Sequence, residues 1–403
     1  MGKIFDEATR AIYKIVLLLY NYHMELSSLE QKLKILISRS RVMNISTVAV
    51  RVIVNPFAGG FSRALKFEQT HGILDKLLAE TEELPEQKPI SWEVLTTTAS
   101  RHATQIANDL LEKAALQSNQ QWLVILACGD GTTWEFLDGL TRAPAEIVER
   151  FTILRLPLGT GNDGTDGWTL EDSLSRLFDE GVILKQPYVT IHTAKQSKQS
   201  KASPSGFRAF NIVSIGLDAF VAHMTNKLKK KLPGDSFKLW LDLATVFYDS
   251  IYKTGTMKIV GKGTIATIPS ESTRKYAAHV TVGTDQFTIE GRFLLLAVGA
   301  DGRRTYGSHQ FILPDENNVC LIEKMSLFRK IKLKTPIVSG EHKKFPEVIL
   351  AQSRELTVYY DETILMQMDG ESIELSPEDF PLVIKVSEPI LRYLGRKDGK
   401  RHV

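Results

Sequence analysis

The sequence predicts a three-layer α/β domain built on a parallel sheet, followed by an antiparallel β domain and preceded by a helical extension. Three patterns predict it. Four β-rich apolar segments between Val48 and Leu156 each give way to a helical stretch, and alternating strands and helices form parallel sheets covered on both faces. From Gln186 to Glu374 the chain instead carries short alternating apolar and polar runs separated by turn residues, as antiparallel strands do. Before Ser46, apolar residues recur at helical spacing.

In chain order, Ala8, Ala11, Ile12, Ile15 and Leu19, then Leu26, Leu29, Leu33 and Leu36, mark one long or two shorter helices in an extension over 1–46. Packing on the domain behind them is the expected role, with a membrane-surface or homodimer contact as the alternative. The α/β domain spans 47–185. Its first strand, Val48 to Val54, stops at Asn55 and Pro56, and the strands Trp92 to Thr96, Trp122 to Ala127 and Phe151 to Leu156 precede helices from Ala99, Trp134 and Leu170. Ligands of such sheets bind beyond the carboxyl ends of the strands, so the loops after these strands are the place to look for chemistry.

The β domain spans 186–375 and includes strands at Phe210 to Ile215, Ala277 to Val282, Phe293 to Val298, Val319 to Glu323 and Leu356 to Tyr360. Two interruptions stand out: the Lys/Ser-rich stretch Lys195 to Ser205, read as a solvated hairpin tip, and a helical segment from Val221 to Tyr252. The tail, 376–403, ends in the basic cluster Arg396, Lys397, Lys400 and Arg401 and is expected to fray or to pack back on the first domain.

With 43% hydrophobic and 24% charged residues over 403 positions, the chain has the composition of a folded globular protein of about two domains. A formal net charge of +3 gives no sign of a nucleic-acid binder. The two cysteines, Cys128 and Cys320, lack CxxC spacing, which fits a reducing compartment such as the cytoplasm and excludes a cysteine-built zinc site. The apolar stretch Ala11 to Tyr20 is broken by Lys14 and falls short of the roughly 20 residues that span a bilayer. Acidic Asp6 and Glu7 precede it where a secretory signal is basic, and Asp6 stands where myristoylation wants Ser or Thr.

Three polar loops follow three of the strands. The first, Asn55-Pro56-Phe57-Ala58-Gly59-Gly60, has small residues that let main-chain N–H groups approach phosphate oxygens. The second, Cys128-Gly129-Asp130-Gly131-Thr132-Thr133, sets one carboxylate between two glycines, so that Asp130 could face a triphosphate and hold Mg²⁺. The third, Pro157-Leu158-Gly159-Thr160-Gly161-Asn162-Asp163, adds a hydroxyl and an amide able to contact ribose or phosphate. Each loop alone is also an ordinary turn. Their shared position after strands of one sheet is the stronger signal, because it brings them to one edge. Neither a Gly-x4-Gly-Lys-Ser/Thr loop nor a His-Arg-Asp catalytic loop occurs, which removes the two commonest phosphoryl-transfer scaffolds.

These residues resemble the diacylglycerol kinase catalytic family, which includes sphingosine, ceramide and bacterial lipid kinases. That family carries an Asn-Pro-x-Ala/Ser-Gly loop, a Gly-Gly-Asp-Gly-Thr loop and a Pro-x-Gly-Thr-Gly-Asn-Asp loop in this order. The resemblance continues through Phe210-Asn211-Ile212-Val213-Ser214-Ile215-Gly216-Leu217-Asp218-Ala219 to Asp369-Gly370-Glu371. It implies a domain like those of NAD kinases and phosphofructokinases joined to a β-sandwich, with ATP and Mg²⁺ in the cleft between them and a lipid as acceptor. It further implies that Asn55, Gly59, Thr98, Gly129, Asp130, Gly131, Thr132, Gly159, Thr160 and Asn162 bind nucleotide, Asp130 also serving as metal ligand. Thr98, Arg101, His102 and Ala103 match the family's Thr-x-x-x-His/Asp-Ala segment. Asp130, Asp369 and Glu371 are the implied catalytic carboxylates, one of the last two taking the proton from the lipid hydroxyl.

The chain departs from the pattern at Cys128, which replaces a Gly, and at Trp134, which replaces an Asn. Asn317-Asn318-Val319 stands where the family often has Asp-Asp-Gly around a structural Mg²⁺, and neutral amides are poor substitutes there. His309 is read as a surface residue. The basic run Lys227-Leu228-Lys229-Lys230-Lys231, next to Phe237, Leu239, Trp240, Leu241 and Phe247, is either a solvated face or a transient contact with anionic lipid. An NAD kinase-like enzyme and a catalytically silent nucleotide- or lipid-binding regulator are the alternatives to a lipid kinase.

Overall fold

The computed structural model describes residues 27–62, 64–88, 91–159, 161–165, 167–178, 181–199, 206–229, 248, 251–252, 254–267, 276–307 and 310–397. Expectations that rest on residues 1–26, on Thr160, His309, Lys400 and Arg401, or on the segment 230–247 lie outside it.

A six-stranded sheet forms the first domain, from β1 (Val48–Val54), β2 (Ser91–Thr96), β3 (Gln121–Cys128), β4 (Phe151–Pro157), β5 (Gly181–Gln186) and β20 (Leu391–Arg396). The spatial order is β2-β1-β3-β4-β20-β5, parallel throughout except that β5 runs antiparallel to β20. Every residue of β1 is buried, as its apolar residues on both sides require of a strand covered on both faces, and the one charged residue, Arg51, is paired with Glu93 at 3.0 Å. On one face lie the helix α1 (residues 27–38), the turn α2 (Gly59–Ser62), and the helices α3 (Ala64–Glu80) and α7 (Leu170–Ser175), around Leu36, Val50, Leu74, Leu123 and Leu174. The other face carries α4 (His102–Leu116), α5 (Asp130–Leu140) and α6 (Ala145–Val148), around Ile106, Val124, Leu137 and Val148. Leu29, Leu33, Leu36 and Ile37 of α1 are buried in the first of these cores, and Glu30 accepts a 2.9 Å hydrogen bond from Trp92 Nε1.

The antiparallel region contains β6 (Val189–His192), β7 (Phe207–Ala209), β8 (Ile212–Gly216), β9 (Met257–Ile265), β10 (His279–Val282), β11 (Gln286–Gly291), β12 (Phe293–Gly299), β13 (Arg304–Tyr306), β14 (Gln310–Leu313), β15 (Val319–Glu323), β16 (Val348–Tyr359), β17 (Ile364–Met368), β18 (Glu371–Leu375) and β19 (Leu382–Val386). Apart from the β13–β14 pair, these join in one sheet ordered β10-β11-β9-β16-β15-β12-β8-β17-β18, with β19, β6 and β7 branching from β16. Ile191, Ile215, Phe287, Leu321, Val358, Met366 and Ile384, from strands far apart in that order, meet in a single core. The sheet therefore curls on itself as a sandwich. Its outer face on β8, β12 and β15 is covered by α9 (Leu217–Lys229) and α10 (Leu327–Ser339), through Phe220 and Leu333.

Four expectations change. Helix α5 begins at Asp130 rather than near Trp134, so Asp130, Gly131 and Thr132 form its first turn instead of a loop. Within Lys195 to Ser205, read as a hairpin tip, the described part is the helix α8 (Ala194–Gln199), tied down where Lys195 Nζ donates to Ser376 Oγ at 2.7 Å. Helix α10 was hidden among strands because its Lys-rich sequence and internal Pro336 give a weak periodic signal. Beyond Ser376, where the tail was expected to fray or to pack back on the first domain, β20 packs back as a strand of the first sheet and β19 joins the second.

The last of these has a physical basis. β20 fills the gap between β4 and β5, with Leu394 and Tyr393 buried on opposite faces and the buried Arg155 guanidinium 4.2 Å from the Tyr393 ring centroid. Among the described residues no helix is long and apolar enough to cross a membrane. Leu394→Ala should lower the unfolding free energy by about 2–5 kcal/mol in urea denaturation, the range for emptying a buried leucine site. An unchanged midpoint would mean that β20 contributes nothing to the first core.

Candidate functional site

Three carboxyl-end segments of the first sheet touch one another. Gly60 N donates to Leu158 O at 2.8 Å, which ties the loop after β1 to the one after β4. A Cβ on Gly159 would lie 2.7 Å from Gly129 Cα, so the segments after β3 and β4 meet backbone to backbone with no room for side chains. Asn55 Nδ2 donates to Thr132 Oγ1 at 2.8 Å and Asn55 Oδ1 accepts from Phe57 N at 3.0 Å, linking the first loop to the first turn of α5. Only the bare main chain at Gly60, Gly129 and Gly159 and the short side chains of Asn55 and Thr132 let three loops pack this closely.

Asp130 sits at the crossing. Its Oδ2 accepts from Asn162 N at 2.8 Å and its Oδ1 from Gly164 N at 3.3 Å. Asn162 adopts φ +60°, and its Oδ1 accepts from Gly159 N at 2.7 Å, a local bond that helps Asn hold a left-handed conformation. Burial raises the Asp130 carboxyl above its ordinary range, and the charge of Asp163 raises it further, against the opposing main-chain donors. A Cβ on Gly161 would lie 2.9 Å from Asp130 Oδ2 and 3.2 Å from Asp163 Oδ2, so the two carboxylates flank that glycine. Asp130, Gly131 and Thr132 are the first residues of α5, whose main-chain N–H groups have no intrahelical acceptor and present the positive end of the helix dipole.

The second domain closes over this edge. Asp369, at φ +50°, accepts at Oδ1 from Asn211 N and Ile212 N, each at 2.9 Å, and at Oδ2 from Phe210 N at 2.5 Å. Burial outweighs these donors and pushes its carboxyl up to about 6. Glu371 is exposed, and its Oε1 lies 3.6 Å from where a Cβ on Gly131 would stand. Asn211 Nδ2 is within reach of both Asp163 O, at 3.3 Å, and Thr305 O, at 2.9 Å, so one amide joins the two domains beside the carboxylates.

Thr98 lies at the same edge but two strands away from β3, and its N and Oγ1 each lie 3.0 Å from His102 Nδ1. Its loop is tied to α5 by Glu135 Oε1, which accepts from Arg101 N at 2.9 Å. Asn55, Gly59, Gly129, Asp130, Gly131, Thr132, Gly159, Asn162, Asp369 and Glu371 thus gather around one cleft, and Thr98 stands at its margin.

Three further groups belong to this cleft. The Tyr306 hydroxyl is held well above its ordinary range, first by burial and then by the charges of Asp218, Asp163, Asp369 and Asp130. Asp218 is pushed up to about 6 by burial, and its Oδ2 accepts from Ser214 Oγ at 2.6 Å. Gln367 Oε1 accepts from Gly370 N at 2.8 Å and its Nε2 donates to Ser214 Oγ at 2.9 Å, which fixes the Asp369-Gly370-Glu371 turn. Asp163 and Asp218 lie inside recognisable sequence motifs; Tyr306 and Gln367 are polar residues in strands with no local signal.

The departures from the family pattern find structural roles. Burial pushes the Cys128 thiol up to about 12, and it packs 3.4 Å from Thr133 Oγ1. The buried Trp134 donates Nε1–H to Arg208 O at 2.9 Å, and the Arg101 guanidinium stacks 5.0 Å from its ring centroid, so Trp134 joins α5 to β7. Asn318 bridges main-chain groups, donating to Ser353 O and accepting from Ser353 N, each at 2.9 Å. Among the described residues no three His, Cys, Asp or Glu side chains stand close enough to share a metal ion.

Residues 49–182 match the diacylglycerol kinase catalytic domain. A solved diacylglycerol kinase structure from Bacillus anthracis str. Sterne superposes with a TM-score of 0.50 at 14% identity, covering 87% of this chain and 98% of that one. Two further structures from the same organism, provisionally named as diacylglycerol kinases, give TM-scores of 0.51 at 15% and 17% identity and cover 89% and 88% of this chain and 99% of each of theirs. At these identities the likeness is one of fold. The strands and loops that build the first domain's side of the cleft, from β1 to the start of β5, thus lie within the segment that matches the diacylglycerol kinase catalytic domain.

Proposed function

We propose that the protein is an ATP-dependent lipid kinase that moves the γ-phosphate of ATP onto the hydroxyl of a diacylglycerol-like or sphingoid lipid. The observation that carries this reading is the crossing of glycine segments over a buried carboxylate at the start of α5. Gly129 and Gly159 leave the main chain bare there, and the first-turn N–H groups of α5 suit phosphate oxygens.

The Asp163 carboxylate, across Gly161, raises the Asp130 carboxyl further above its ordinary range, which is the environment a hard cation relieves. With one or two carboxylates in reach, the cleft suits a cation that takes its other ligands from phosphate and water, as Mg²⁺ does. When bound, Mg²⁺ would supply charge neutralisation on the transferring phosphate.

For the acceptor proton we assign Asp369. Oδ2 accepts a single main-chain donor and so keeps a free lone pair, and a carboxyl near 6 is largely ionised at neutral pH. Glu371 stands at the cleft mouth beside Gly131, where its charge would orient the nucleotide-bound cation.

Purified protein incubated with labelled ATP should phosphorylate one of diacylglycerol, sphingosine or ceramide. Label on NAD alone would overturn the lipid reading, and label on none of the four would favour a silent regulator. Asp130→Asn should cost at least about a hundredfold in turnover, the scale of losing one preorganised electrostatic contact, with an unchanged far-UV spectrum. Near-normal turnover would remove Asp130 from the site.

Asp369 works as a base only when ionised. Because its carboxyl is raised, kcat/KM should fall about tenfold per pH unit below pH 6 and level off above it. Asp369→Asn should lower kcat by about 10²–10³-fold and abolish that acidic limb. A limb that persists in the variant would assign the proton acceptor elsewhere.

A further inference from the structure

Helix α10 leaves one side bare. Lys330 and Leu333 face the β domain, and on the opposite side Phe328 is 81% exposed, Ile331 60%, Val338 51% and Leu327 42%. At 100° per residue these four fall on one stripe, with Lys332 and Lys334 on its two borders. No acidic residue occurs between Ser326 and Gly340, whereas Arg329, Lys330, Lys332 and Lys334 do. Glu341, Lys343 and Lys344 follow in the next turn, where Glu341 pairs with Lys344. Arg329 forms a bidentate pair with Glu347, at 2.7 Å to each carboxylate oxygen, which anchors the helix, and Lys332 and Lys334 are exposed.

The stripe is also well placed. Gly340 ends α10 at φ +76°, where a Cβ would lie 3.5 Å from Phe311 Cβ. The Phe311 ring is 6.2 Å from that of Trp168, centroid to centroid, and Trp168 lies 37% exposed in the segment that follows the Asp130-binding loop. Helix α10 therefore ends against the rim of the cleft.

We propose that α10 is an interfacial docking helix, which inserts Leu327, Phe328, Ile331 and Val338 among the acyl chains of an anionic bilayer while the lysines on its borders meet lipid phosphates. Single exposed apolar residues are ordinary, but an apolar stripe edged by cations alone on a helix is the pattern of an interfacial helix. A lysine-only border fits an anionic lipid surface better than a second copy of the same basic helix, which it would repel. The proposal goes beyond the reaction above and would bring the cleft to a membrane-borne acceptor.

Co-sedimentation without nucleotide tests it. The protein should bind vesicles of equal parts phosphatidylcholine and phosphatidylglycerol and bind phosphatidylcholine alone weakly. Phe328→Ser with Ile331→Ser should weaken binding about tenfold or more, and Lys332→Glu with Lys334→Glu should remove the preference for anionic vesicles. All four side chains sit on the surface, and turnover on a short-chain, water-dispersed diacylglycerol should be unchanged. Vesicle binding that survives both double variants would overturn the proposal, as would a change in oligomeric state on light scattering in place of lost vesicle binding. Binding that behaves as expected in a protein with no lipid turnover would retain the docking helix and discard the kinase.

Discussion

The architecture of the cleft depends on the way Asp130 is held. Its carboxylate accepts from the main chain of the segment after β4, while the residue itself begins the helix after β3. One side chain thus fixes the distance between two parallel strands' outputs and orients the helix dipole at the space between them. The arrangement keeps a charge away from water and next to Asp163, which is unfavourable unless a cation or a phosphate-bound cation completes it. A group that destabilises the empty fold in this way belongs to function more readily than to packing.

The second domain contributes by closing that space. Asp369 collects three N–H donors at the entry to β8, Asn211 reaches back to the carbonyl of Asp163, and Trp134 joins α5 to the carbonyl of Arg208. The contacts of Asn211 and Trp134 run from side chain to main chain, and beside them Tyr188 and Phe210 share a buried cluster with Trp134 and Phe136, so polar bonds and apolar packing both join the domains. β20 adds a covalent constraint, because the chain returns from the sandwich to a place between β4 and the edge strand β5 of the first sheet.

Much of this was legible in the sequence, for identifiable reasons. The parallel strands are mostly apolar runs with few interruptions, and such runs admit few alternatives when three of them end in Gly-bearing polar loops. That the loops carrying Gly59, Asp130 and Gly161 meet at one edge followed from their places after strands of one sheet. Other features gave weaker signals. The start of α5 at Asp130 was obscured because Asp-Gly-Thr reads as a turn. Helix α10 carries its apolar residues on the outer side as well as the inner, which blurs a period that depends on contrast. β20 is set in place by a long-range pairing that no local pattern encodes. Tyr306 and Gln367 enter the cleft from strands whose other residues give no hint of it.

The central claim is that the segments after β1, β3 and β4 form one triphosphate site closed by Asp130. Hydrogen–deuterium exchange with and without ATP and Mg²⁺ tests it most directly. Added together, ATP and Mg²⁺ should slow exchange in 55–60, 129–133 and 161–165 in concert, and much less when Mg²⁺ is withheld. Protection confined to another part of the chain, or to only one of these segments, would contradict the account.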